Sequence, residues 1–321
     1  MTQSENVDLL ATAIKWHVEG NKVAVGTVIR TWKSAPRPLG ARLIINQDGR
    51  FAGSVSGGCV EKEVIHAAAD CLQHNTVRHL SFGIGDQMAW QSGLSCGGQI
   101  DVFVAPLPAP GTSGHQALEE WRQAVVQRNN GILITNINNG ELTFKKINDV
   151  PPSPIFDDNH NHFLEPCIPQ RRLLIVGATH IAQTLAPLAR QCDFDVIIID
   201  PRQAWLTAAR FPDTVLDERW PEDALPDIGV DEQTAVVTLA HDPKIDDGAL
   251  TIALSKKAHY IGALGSVRTH EKRRKRLLAE GISAESFAHI HAPVGLDINA
   301  KSAAEIAVAI ISEVLSTYSK K

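Results

Sequence analysis

Apolar and polar positions along the chain follow two different rhythms. In the first 150 residues the apolar runs are short and rich in β-branched residues: VAVGTVIRT at 23–31, ARLIINQ at 41–47 and IDVFVAP at 100–106. Each predicts a strand. GILITNI and ELTFKKI flank Asn138-Asn139-Gly140, the signature of a hairpin with an Asn-Gly turn. A helical period runs over about 60–73 and 115–128. The N-terminal stretch also reads as an amphipathic helix, with Val7, Leu10, Ala11 and Ile14 on one side. Residues 1–150 are therefore expected to form a mixed α+β domain.

The pattern then breaks. Residues 151–170, PPSPIFDDNHNHFLEPCIPQ, carry five prolines and no helical period, so a linker is expected there. Beyond it fully apolar strands alternate with helices: RLLIVGA, IAQTLAPLARQC, FDVIIID, QAWLTAARF, AVVTLA, DGALTIALSKKA and YIGALG. A helix with a basic face follows over 268–280. The last helix begins at Ser302, where Glu305 completes a capping box. This alternation predicts a parallel sheet covered on both faces, a Rossmann-like doubly wound domain over 171–321.

Composition narrows the function classes. The chain has 321 residues, of which 44% are hydrophobic, the range of an ordinary soluble protein of about two domains. No apolar run approaches the ~18 residues of a membrane span. The N-terminus lacks the basic start and apolar core of a signal peptide, so a cytoplasmic protein is expected. A net charge of −5 gives no footprint for nucleic acid. The five cysteines, at 59, 71, 96, 167 and 192, form no CxxC pair, and free thiols are the expectation.

The candidate chemistry gathers in four places. The first βα turn of the second domain reads Gly177-Ala178-Thr179-His180-Ile181-Ala182, so Thr179 stands where a dinucleotide fingerprint has its second glycine. Asp200 lies 23 residues after Gly177, near the distance expected for a ribose-binding acid. The alternative is a Rossmann fold used as a scaffold. His241, Asp242, Ser266 and Arg268 fall where the strands end, the edge at which such sheets bind ligands; the bland alternative is that they cap helices and close turns. The run RTHEKRRKR at 268–276 is read as a solvated helix face, and His291 and Asp297 as structural residues.

The other two places are cysteine loops. In SVSGGCVE, Cys59 follows Gly57 and Gly58 and stands at the start of a helix. On that helix Val60, Val64, Ala67, Ala68 and Cys71 share the face expected to be buried, while Cys59 aligns with Glu63 and His66. In LSCGGQ, Cys96 precedes Gly97 and Gly98. Glycine pairs allow a special backbone shape or the approach of a bulky ligand. A packed thiol in a glycine turn is the competing reading for each. Cys71 and Cys192 are expected to be structural, and Cys167 with His160 and His162 lacks a fourth metal ligand.

Taken together, KSAPRPLGARLII, GSVSGGCVE, LSCGGQIDVFVAP, AHDPKIDDGAL, YIGALGSVRTHEKR and HAPVGLDINAKSAAEIAVAI resemble the XdhC/CoxI family over nearly the whole chain outside 151–170. The resemblance implies a chaperone for xanthine dehydrogenase-type enzymes, in a family with a branch that serves aldehyde oxidoreductases. Such a chaperone carries molybdenum cofactor, as molybdopterin or its cytosine dinucleotide, shields it and inserts it into a molybdenum hydroxylase apo-enzyme. The implied partners are that enzyme, a cysteine desulfurase, a molybdopterin cytidylyltransferase and a second copy of the chain. It further implies Cys59 or Cys96 as the soft ligand that contacts molybdenum or holds sulfur, and Arg37 as the contact for the pterin phosphate. The family loop commonly reads GAGH where this chain has Thr179, which leaves the Rossmann half to hold the partner enzyme or the dinucleotide tail. An NAD(P)-dependent oxidoreductase is the rival reading; it requires a hydride-competent pocket and a fuller fingerprint than GATHIA.

Overall fold

The computed structural model describes residues 3–32, 35, 37–83 and 98–318. The chain forms two compact units, Met1–Pro169 and Gln170–Lys321.

In the first unit, helix α1 (Gln3–Val18) precedes a five-stranded antiparallel sheet of order β3-β2-β1-β5-β4. Its strands are β1 (Val23–Trp32), β2 (Arg42–Asn46), β3 (Phe51–Gly53), β4 (Arg78–Phe82) and β5 (Gln99–Pro106). Helix α2 (Glu61–His74) covers one face. Val60, Val64, Ala68 and Cys71 pack there against Ala24, Val28, Leu43, Ile45 and Val102, as the helical spacing predicts, with Ala67 at the margin. On the other side Leu10, Ala13 and Trp16 of α1 join Ile44, Leu133 and residues of α3 (Ser113–Val126), centred on Trp121.

The expected hairpin is formed by β6 (Ile132–Asn136) and β7 (Leu142–Lys145). The stretch expected to be a linker is instead part of this unit. It contains β8 (Ile155–Asp157) and β9 (His162–Pro166), and β9 inserts beside β6 to give a second sheet of order β7-β6-β9-β8. The linker expectation fails because the prolines stand outside or at the end of these strands. Phe163 and Cys167 are buried, and Glu165 forms a buried ion pair with Arg42, its Oε1 and Oε2 each 2.7 Å from Nη2.

The second unit is the expected Rossmann-like domain. Its six parallel strands run β12-β11-β10-β13-β14-β15, the doubly wound order in which the direction of winding reverses between β10 and β13. They are β10 (Arg172–Val176), β11 (Asp195–Ile199), β12 (Val215–Asp217), β13 (Thr234–Thr238), β14 (Tyr260–Ala263) and β15 (Ile290–His291). One face is covered by α4 (His180–Gln191) and the C-terminal α9 (Ala303–Tyr318). The other is covered by α5 (Pro221–Ile228), α6 (Pro243–Ser255), α7 (Val267–Ala279) and the short α8 (Ala284–Phe287).

Two details of this unit depart from expectation. QAWLTAARF is a chain of turns and not a helix: Phe211 is buried in the core, and Arg210 Nη1 donates to Ala178 O at 3.0 Å, tying the segment to the first βα turn. The helix that serves this position is α5, in WPEDALPDI. In the basic helix α7 most charges are exposed as expected, but Arg273 is only 2% exposed.

Candidate functional site

Strand registers bring three of the sequence motifs to one end of the five-stranded sheet. Trp32 at the end of β1 lies opposite Gln99 at the start of β5, and Phe82 at the end of β4 lies opposite Ile100. Thr27 pairs with Arg42 at the start of β2, and Leu43 with Gly53 at the end of β3. The segment containing Arg37, the SVSGGCVE loop, and Gly83 and Gly98 therefore all leave the sheet at the same end. Cys96 and Gly97 lie outside the described residues. Gly98 is buried beside β5, and Arg37 is half-buried. Ala35 and Cys59 pack against the same core cluster.

The loop before α2 is organised around Glu61, a residue that the sequence alone does not single out. Its Oε1 accepts from Ser54 Oγ at 2.6 Å and from the amides of Val55, Ser56 and Gly57 at 3.2, 2.9 and 3.1 Å. Its Oε2 accepts from Ser56 Oγ at 2.5 Å, Gly58 N at 2.9 Å and Val60 N at 3.2 Å. Burial opposes the charge, but the hydroxyls of Ser54 and Ser56 and the loop amides outweigh it and lower the Glu61 pKa to about 2. Ser56 Oγ in turn accepts from the amides of Cys59 and Val60, both at 2.9 Å. A Ser-x-Ser-Gly-Gly run ahead of a glutamate in the first helical turn was the available signal, since such glutamates can satisfy backbone donors at a helix start.

The amides of this loop thus point inward onto a carboxylate, and its outer surface is uncovered by the described residues. Gly57 and Gly58 are exposed, with φ of +81° and +115°, and among the described residues no atom beyond their chain neighbours lies within 4 Å of where a Cβ would stand on either. Cys59 follows them, half-buried and free. Chemically this is a thiol beside a stretch of main chain that no described side chain covers. It is no phosphate cradle, because its N–H groups are occupied. Among the described residues no group of three or more His, Cys, Asp or Glu side chains could hold a metal ion.

The residues predicted at the Rossmann edge are placed as follows. Gly177 has φ of +113°, and a Cβ there would lie 2.4 Å from Ala240 N, so only glycine fits the meeting of the two central turns. Thr179 is the N-cap of α4, accepting from Ala182 N at 3.4 Å, and His180 is exposed in the first turn. Asp200 is fully buried. Its carboxylate accepts from Ala178 N and Arg202 Nη2, each at 2.7 Å, and from Arg202 N and Nε, each at 2.9 Å. A ribose hydroxyl would have to displace one of these four donors. His241 is exposed in a left-handed conformation (φ +58°), and Asp242 caps α6 through Lys244 N at 3.0 Å. Arg268 is exposed on α7, which Ser266 caps.

Nearby lies a group of buried charges that sequence reasoning missed. Asp246 is 2% exposed, and burial raises its pKa from 3.8 to about 7, against the field of Arg273 and a hydrogen bond from Ala240 N. Asp246 Oδ1, Arg273 Nε and Thr238 Oγ1 each lack a hydrogen-bond partner among the described residues. Arg276 pairs with Asp247 through Nε–Oδ2 at 2.5 Å and Nη2–Oδ1 at 3.0 Å.

Fold and site together define a two-unit protein, a cysteine-loop α+β unit followed by a Rossmann unit. Residues 16–83 match the model of the XdhC and CoxI family, and residues 173–314 match that of the XdhC Rossmann domain. The chain belongs to the XdhC and CoxI family. It is 28% identical over 315 residues to a Bacillus subtilis protein named as a probable subunit of xanthine dehydrogenase, covering 92% of this chain and 93% of that protein. It is 29% identical over 311 residues to the molybdenum cofactor insertion chaperone PaoD of Escherichia coli, covering 96% and 87%. A solved structure described as a xanthine dehydrogenase from Bacillus halodurans shares the fold with a TM-score of 0.76 at 23% identity, over 98% of this chain and 96% of that one.

Proposed function

We propose that this protein is a maturation chaperone that carries molybdenum cofactor as cargo and inserts it into an apo-enzyme of the xanthine dehydrogenase type. Family membership and the likeness to an insertion chaperone over nearly the whole chain support the reading. The observation that carries the site is the convergence of the Arg37 segment, the Cys59 loop and the ends of the Cys96 segment at one end of one sheet.

The residues there fit the cargo. A thiolate is a soft ligand suited to molybdenum or to holding a sulfur atom, and Cys59 stands beside the exposed main chain of Gly57 and Gly58. Cys96, Gly97 and Gly98 supply the second such element. Phosphate recognition falls to Arg37, whose planar fork suits it, because the loop amides are already bound by Glu61. In this reading the cargo is the sulfurated cofactor, as molybdopterin or its cytosine dinucleotide. A cysteine desulfurase and a cytidylyltransferase act upstream, a molybdenum hydroxylase receives the product, and the chaperone works as a homodimer. The Rossmann unit, with Gly177, Thr179, His180, Asp200, His241, Asp242 and Arg268 at its carboxyl edge, serves the nucleotide tail or the client.

The test is reconstitution. Cofactor-free molybdenum hydroxylase is incubated anaerobically with cofactor-loaded protein or with the same amount of free cofactor. Faster and fuller activation by the loaded protein is expected. Equal activation by free cofactor would refute the insertion role.

A further inference from the structure

We infer that Glu61 is the positioning residue of the Cys59 loop, fixing the thiol through Ser56 while turning the loop amides away from the ligand. The inference rests on the reading of Cys59 as a cargo contact. Three observations carry it. First, the Glu61 carboxylate gathers five amides and two hydroxyls from the eight-residue stretch Ser54–Glu61, far more than capping one helix requires. Second, the Cys59 amide donates to Ser56 Oγ, and that hydroxyl donates its own proton to Glu61 Oε2. The orientation of the oxygen that anchors Cys59 is thus set by the glutamate. Third, the inward pull leaves Gly57 and Gly58 left-handed and exposed, with no described residue packed over them.

The arrangement inverts the usual anion nest, in which successive amides face an outside ligand. Here the chain supplies its own anion, so the loop offers a sulfur and no oxyanion site. Specificity follows: the loop reads the sulfur- and metal-bearing end of the cargo, and its phosphate is held elsewhere. Glu61 touches no cargo itself.

The test is a double-mutant cycle in the full chain, because coupling separates a residue acting through Cys59 from one that only supports the fold. Glu61→Gln, Cys59→Ala and the double variant are incubated anaerobically with cofactor released from a molybdenum hydroxylase. Binding is read from pterin fluorescence after oxidation, with circular dichroism reporting the fold. Glu61→Gln keeps the shape but turns one acceptor oxygen into a donor group facing three donors. Expected is a loss of roughly tenfold in cofactor affinity, the factor that one charge-assisted hydrogen bond is worth, and no further loss in the Cys59→Ala background. An equal loss in both backgrounds, or none in either, overturns the inference.

If Cys59→Ala binds cofactor like the wild type, the cargo-contact reading fails instead, and Glu61 is then judged by a second readout. That readout is the rate at which iodoacetamide modifies Cys59, followed by peptide mass spectrometry from pH 6 to 10. A changed rate profile in folded Glu61→Gln keeps the positioning role, and an unchanged profile ends it. Should Glu61→Gln not fold, Ser56→Ala removes the hydroxyl that anchors the Cys59 amide and is read in the same way.

Discussion

Replacing Asp246 with Asn is expected to stabilise the protein at pH 8, although it removes a charged group from a helix start. The carboxyl is 2% exposed, its Oδ1 lacks a partner among the described residues, and its folded pKa is raised from 3.8 to about 7. Between those values the folded state keeps a proton that the unfolded chain releases, so stability falls as pH rises through this window. At about 1.4 kcal/mol for each unit of pKa, the full cost above pH 7 is roughly 4 kcal/mol, and relaxation around the group lowers it to about 2–4 kcal/mol. Asn keeps an acceptor for the Ala240 amide and stays neutral at every pH. The assay is thermal unfolding of wild type and Asp246→Asn at pH 5 and pH 8. The wild type should lose several degrees relative to the variant between the two, at about 2–4 °C for each kcal/mol in a unit of this size. Parallel shifts, or a variant less stable than wild type at pH 8, would refute the reasoning.

Other outcomes follow from the same geometry. Gly177→Ala should cost about 3 kcal/mol or more, because its Cβ would lie 2.4 Å from Ala240 N on a left-handed backbone; a denaturation midpoint within error of wild type would contradict this. Arg42→Met should destabilise the first unit by about 3–5 kcal/mol by leaving Glu165 buried without its guanidinium, read by urea unfolding. Cys59 should react with iodoacetamide well before Cys71 and Cys167 in the folded protein. Burial raises both of those thiols, Cys167 to about 12, and peptide mass spectrometry gives the order.

The Rossmann unit was legible because a parallel sheet covered on both faces writes its strands as unbroken apolar runs, as in RLLIV and DVIII. The face of α2 was legible too, since Val60, Val64, Ala68 and Cys71 obey a single helical period. What failed was local. Prolines at the margins hid β8 and β9, because a strand this short needs only a few residues free of proline. QAWLTAARF has helical composition, yet the tie from Arg210 to Ala178 O and the burial of Phe211 hold it in turns. At the candidate site the cysteines and glycines were visible by type. The role of Glu61 was not, because seven donors converging on one carboxylate is a property of the folded loop. Arg273 looked like part of a solvated run because composition does not say which member of a basic helix faces the sheet.

The most direct measurement of a carrier is cofactor retention. Purified protein is incubated anaerobically with molybdenum cofactor, passed over a desalting column and assayed for oxidised pterin fluorescence in the protein fraction, beside Cys59→Ala and Cys96→Ala. Pterin that stays with the wild type and leaves with a folded cysteine variant is the predicted result. A wild type that retains no pterin, with the cytosine dinucleotide form also supplied, would contradict it.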